Sequence, residues 1–155
     1  MTGGGQIVSG LGSPVTYMGA SIPSMSFGLG QLCCEDWKTE QIEVNAHRTQ
    51  QKKDDVSWHF TVATLTCSRT GSAAPPPNTV DCANRFNGSA TDGEGNTLFF
   101  TLEDFGEPGR MVDAVTMRIE NSSGAVVLSG TGLLSRGNLQ VHEGLGPLER
   151  DCSGC

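Results

Sequence analysis

Val56-Ser57-Trp58-His59-Phe60-Thr61-Val62-Ala63-Thr64-Leu65-Thr66-Cys67 alternates apolar and polar side chains over most of its length. Successive side chains of an extended chain point to opposite faces, so Trp58, Phe60 and Val62 share one face and His59, Thr61 and Ala63 the other. The stretch is rich in β-branched and aromatic residues and holds neither Gly nor Pro, the composition of a strand. The same pattern recurs on both sides of it. Residues 39–47 place Ile42, Val44 and Ala46 on one face. Residues 84–91 and 96–103 read as a hairpin around Asp92-Gly93-Glu94-Gly95. Phe105-Gly106-Glu107-Pro108-Gly109 is a second turn, leading to a strand at 112–120. Asn121-Ser122-Ser123-Gly124 is a third, leading to a strand at 125–134, and Asn138-Leu139-Gln140-Val141-His142 is a short last strand.

Gly and Pro interrupt nearly every window long enough for three helical turns. An apolar fraction of 36% with 21 glycines suits a thin β-fold with many turns. Many short strands with regular turns predict an all-β protein, a Greek-key β-sandwich of about eight or nine strands. Residues 1–143 form one such domain, and 144–155 form a cysteine-containing tail. Pro75-Pro76-Pro77 lies in 68–81, which reads as a long connection between two sheets. The first 32 residues carry eight glycines and alternate poorly; Ile7-Val8 and Met25-Ser26-Phe27 are their best strand pieces.

Six cysteines, Cys33, Cys34, Cys67, Cys82, Cys152 and Cys155, are an even set that suits three disulfides. Zinc needs paired ligands on two knuckles, and Cys152-Ser153-Gly154-Cys155 supplies only one. Disulfides point to an extracellular or cell-surface setting. Met1-Thr2-Gly3-Gly4-Gly5 lacks the basic start and apolar core of a signal peptide, so a secreted chain reads here as a mature form or an excised piece. No apolar run of about 18 residues is present, so no membrane insertion is expected. The net charge is −7 and the ten Lys and Arg are scattered, which argues against nucleic acid.

The second half of the chain resembles a known family. Phe86-Asn87-Gly88, Phe100-Thr101-Leu102-Glu103-Asp104, Gly106-Glu107-Pro108-Gly109, Asp113, Val127-Leu128 and Gly137-Asn138-Leu139-Gln140-Val141-His142 are similar to the signature of a secreted bacterial β domain, the post-COAP-type domain. The opening Met1-Thr2-Gly3-Gly4-Gly5 resembles that family's start, and Cys34, Glu43-Val44-Asn45, His59-Phe60 and Cys67 fall where it has matching elements. The resemblance spans residues 1–143. It implies a β domain appended to extracellular Ig-like repeat proteins, with no established enzymatic activity, and it implies a Cys34–Cys67 disulfide. Cys33, Cys82, Cys152 and Cys155 have no counterparts in the family pattern. Bonds from the tail to Cys33 and Cys82 are the preferred pairing, and a Cys152–Cys155 bridge is the alternative.

Of the three histidines, His47, His59 and His142, none sits in a nucleophile motif, and no Gly-x-Ser-x-Gly elbow exists. The chain therefore reads as non-enzymatic, with no catalytic residue and no required cofactor. Asp104, Glu107 and Asp113 are candidate calcium ligands, as is the Asp92, Glu94, Asn96 set, although Asp, Asn and Gly build turns for backbone reasons alone. Asn87 and Asn121 head glycosylation sequons. Trp37 and Trp58 are candidates for a sugar platform. Residues 1–12, through Gly3, Gly4, Gly5, Ile7 and Val8, form either the first strand of their own domain or a donor strand completing a neighbour's sheet. The resulting expectation is a structural protein that polymerises with itself into a bacterial surface fibre. The other expectation is an adhesin-like module that binds a glycan or cell-surface ligand.

Overall fold

Alternation along Gln41–His47 is reproduced in a computed structural model, which describes residues 1–10, 14–32, 40–49, 52–68, 84–106 and 108–141. The strands are β1 (Thr2–Val8), β2 (Val15–Tyr17), β3 (Ala20–Ser21), β4 (Ser24–Leu29), β5 (Gln41–His47), β6 (Val56–Ser68), β7 (Arg85–Thr91), β8 (Thr97–Glu103), β9 (Ala114–Glu120), β10 (Val126–Leu133) and β11 (Arg136–Gln140). A 3-10 turn, Lys52–Asp54, precedes β6. Among the described residues no helix is long and apolar enough to cross a membrane.

The protein is all-β, as expected, but the architecture differs from a sandwich of eight or nine strands. Among the described residues, eleven strands form one curled antiparallel sheet in the order β11-β1-β4-β5-β6-β7-β8-β9-β10-β2-β3. The extra strands, β2 and β3, are three and two residues long, too short to leave an alternation signal. The segment 68–81, expected to lead to a second sheet, instead joins β6 and β7, which pair directly.

The curl originates in β6. Its first half pairs with β5, from Val56 opposite Ala46 to Thr61 opposite Gln41. Its second half pairs with β7, from Thr61 opposite Thr91 to Ser68 opposite Arg85. A bulge between Val62 and Thr64 separates the halves, and a bulge bends its strand and sharpens the twist. Beyond it the inward phase passes to Leu65 and Cys67. The sheet thereby folds back on itself, and a Cβ on Gly130 of β10 would meet the Met25 sulfur of β4 at 2.6 Å.

Between the layers lies one core. Ile7, Met25, Ile42, Val44, Phe60, Phe86, Leu98, Leu102, Met117, Ile119, Leu128 and Leu139 are all buried there. The predicted inward set of β5 is confirmed: Ile42, Val44 and Ala46 are fully buried. In β6, Phe60 and Val62 are buried and Trp58 packs against the core, while His59 is exposed.

Within its own chain, β1 lies between β11 and β4 and pairs with both. Close strand approach explains its glycines. A Cβ on Gly3 would collide with the Asn138 carbonyl oxygen, and one on Gly4 would lie 2.6 Å from that of Phe27.

Candidate functional site

Asp104, Asp113 and Asn138 gather in one backbone staple. Asp113 is fully buried, and its carboxylate accepts N–H groups from Phe105 at 3.1 Å and Leu139 at 2.8 Å. Asp104 accepts from Gly106 at 2.9 Å and Val141 at 2.8 Å. The Asn138 side-chain oxygen accepts from the Gly109 N–H at 2.7 Å. Together they dock the β8–β9 connection onto β11, and this use explains why Gly109, Asp113 and Asn138 have these identities. Of the expected calcium ligands, Asp104 and Asp113 are thus engaged by backbone donors, while Glu107 lies outside the described residues. No group of three or more His, Cys, Asp or Glu is gathered for a metal among the described residues.

Asp92 builds the β7–β8 turn, accepting the N–H groups of Glu94 and Asn96 at 2.9 and 2.8 Å and the Asn96 amide at 2.6 Å. Slight burial pushes its carboxyl up. The Asn96, Glu94 and Gly95 hydrogen bonds outweigh that and hold it below its ordinary 3.8. Asn121 builds the β9–β10 turn in the same manner, accepting from Ser123 and Ala125. Asn87, the other sequon asparagine, lies within β7, where its side-chain oxygen accepts the Thr101 hydroxyl at 2.8 Å.

Cys67 is half-buried, faces the core opposite Phe86 and is disulfide-bonded. Cys33, Cys34, Cys82, Cys152 and Cys155 lie outside the described residues, as do Trp37 and His142. Trp58 is turned to the core side, its ring 6.3 Å from that of Tyr17, and so does not present an outer sugar platform.

The outer face of the β6–β10 half is ordered in cross-strand rows. One row runs Thr66, Asn87, Thr101, Thr116, Thr131. Its neighbour runs Thr64, Ser89, Phe99, Arg118, Ser129, Thr16. Hydroxyls bond across strands at 2.7 Å for Thr116 and Thr131 and 2.9 Å for Thr64 and Ser89. The Arg118 guanidinium lies 5.0 Å from the Phe99 ring centroid and pairs with Glu120 at 3.1 Å. Phe99 remains 38% exposed. A groove of about 260 Å³ lies here, lined by Asn87, Phe99, Thr101, Thr116 and Arg118. Sequence reasoning missed Phe99, yet the signal was present. Two consecutive phenylalanines in a strand must put one ring on each face, and Phe100 is the buried one.

On the other half of the sheet, His47 was expected to have no chemical role. Its Nδ1 lies 2.8 Å from the Asp55 carboxylate and its Nε2 lies 2.8 Å from the Ser26 hydroxyl. No sequence motif links positions 26, 47 and 55; the β4–β5 register, which sets Ser24 opposite His47, and the β5–β6 register, which sets Ala46 opposite Val56, bring them together. No family model, no curated protein and no solved structure matches this chain.

Proposed function

We propose that this chain is an extracellular, disulfide-bonded β module that binds a glycan on the outer face of β7–β9. The observation that carries this reading is the groove around Phe99 and Arg118. Sugars present apolar C–H faces and a fringe of hydroxyls. An exposed ring takes the first, and a guanidinium, a carboxamide and threonine hydroxyls take the second. The Glu120 ion pair and the Phe99 ring hold Arg118 in place, so less freedom is lost on binding. Resemblance to an appended secreted β domain agrees with such a module, as does the disulfide at Cys67.

Titration of soluble polysaccharides into the full chain, followed by calorimetry, tests the reading. Phe99→Ala and Arg118→Ala should each weaken binding about tenfold, roughly 1.4 kcal/mol, with unchanged melting temperature. Binding unaffected by both substitutions, or no binding to any polysaccharide in a broad panel, overturns it.

The second reading is a self-assembling fibre subunit. It is favoured by the slot between β4 and β11, which accepts a glycine-rich strand with close backbone contacts. A neighbour's residues 1–12 fit such a slot as well as the chain's own. Filaments visible by electron microscopy without ligand support this reading, and a monomer at high concentration excludes it.

A further inference from the structure

We propose that Ser26, His47 and Asp55 form an acyl-transfer site, with Ser26 as nucleophile, for small accessible carboxylic esters. The inference is independent of the glycan reading, since its residues lie on β4, on β5 and before β6. The connectivity is directional. A carboxylate can only accept, so Asp55 takes the Nδ1–H of His47 at 2.8 Å. That tautomer leaves an Nε2 lone pair facing the Ser26 hydroxyl at 2.8 Å. Nucleophile, base and orienting acid therefore stand in the order required for serine activation.

The surroundings hold this order in place. Thr49 donates to the Asp54 carboxylate at 2.8 Å, fixing the 3-10 turn that presents Asp55. The side chains of His47 and Asp55 are 28% and 20% exposed, so the pair is sheltered yet reachable. Ser26 has Gln6 directly opposite on β1 and Asn45 directly opposite on β5. Opposite residues of a sheet share a face, so a carboxamide stands on either side of the nucleophile. Gln6 now donates to Ser24 at 2.9 Å and Asn45 to Glu43 at 3.0 Å. Side-chain amides of this type can turn to the oxygen that gains charge during acyl transfer.

Ser26 Oγ bonds to the acyl carbon while its proton passes to His47 Nε2. The ester C–O bond breaks, and the departing alkoxide takes that proton. Water then adds to the acyl-serine with His47 again accepting and returning a proton, which releases the carboxylic acid and restores Ser26. Asp55 stays ionised and stabilises the imidazolium. A purely structural role would use the same hydrogen bonds to tie β4, β5 and the 52–55 segment, and it predicts no reactivity.

The test uses the full chain, a fluorophosphonate probe read by peptide mass spectrometry, and p-nitrophenyl acetate hydrolysis. We expect one adduct, on Ser26, and none on the heat-unfolded chain. Ser26→Ala should remove both adduct and turnover while melting as the parent does. His47→Gln should slow labelling about 100-fold, and Asp55→Asn, which keeps the side-chain shape, should slow it at least about tenfold. The absence of an adduct on the folded chain overturns the proposal. So does turnover retained by Ser26→Ala, or labelling of Ser26 at equal rates in the folded and unfolded chains.

Discussion

Asp113 shows what a single side chain does in this fold. It is fully buried, and both of its carboxylate oxygens receive backbone N–H groups, from the β8–β9 connection and from β11. An isolated charge in that position would be costly; hydrogen bonds to the ionised form offset the cost. Asp113→Ala would strand the buried Leu139 N–H and the partly buried Phe105 N–H; a buried donor left without its acceptor costs about 1–3 kcal/mol. We expect a loss of about 2–4 kcal/mol in chemical denaturation, and a smaller loss for Asp113→Asn, whose amide oxygen still accepts. Equal stability of Asp113→Ala and the parent would refute the staple. Gly109 shares the site, because a Cβ there would run into the Asp113 and Asn138 oxygens. The sequence marked Asp113 as polar and turn-associated, which suggested calcium. Its use as an acceptor depends on β11, which is 26 residues away, and no local pattern carries that information.

Single elements were legible in proportion to their length and alternation. Strands β5 to β10 announce themselves through period-two patterns and turn chemistry, and the inward residues of β5 were read correctly. Strands β2 and β3 did not, because their hairpin turn is Met18-Gly19 rather than Asn-Gly. Both turn residues have positive φ, 51° and 79°, a type I′ turn that a side chain such as Met tolerates poorly. Met18→Asn should therefore stabilise the protein by about 0.5–1 kcal/mol, raising the melting temperature; a decrease would count against the turn assignment. The β7–β8 turn makes a pH-dependent prediction. The Asp92 carboxyl lies below 3.8 in the folded state, so its contribution is present above 3.8 and is lost as pH falls through the lower folded value. Asp92→Ala should melt below the parent at neutral pH, by an amount that solvent screening keeps to about 1 kcal/mol. The gap should close at pH values below the folded carboxyl's own. A gap that persists there would mean that the charge is not what matters.

The whole molecule is closed by pieces distant in sequence, which is why a sandwich was expected and a single curled sheet was found. The offset pairing of β6, with its bulge between Val62 and Thr64, bends the sheet at its middle strand. We propose Cys34 as the partner of Cys67; a loop of about 33 residues would contribute roughly 3–4 kcal/mol through chain entropy, and peptide mapping that finds Cys34 free would exclude the pairing. Strand β1 is the sharpest test of global organisation. It pairs with β11 and β4, and it brings Met1 and Ile7 into the core. Deleting residues 1–8 removes both ladders, leaves the facing edges of β4 and β11 unpaired and withdraws two apolar side chains worth about 1.5–3 kcal/mol each. Total stability is about 5–15 kcal/mol for a domain of this kind, so the truncated chain should lose its cooperative thermal transition. A peptide of residues 1–12 added in trans should restore it, because the peptide binds only the folded state. The same peptide carrying Gly3→Val should not, since any Cβ at that position meets the Asn138 carbonyl. An unchanged transition after truncation would show that β1 is dispensable. Rescue by the Gly3→Val peptide would show that the slot is not the one described.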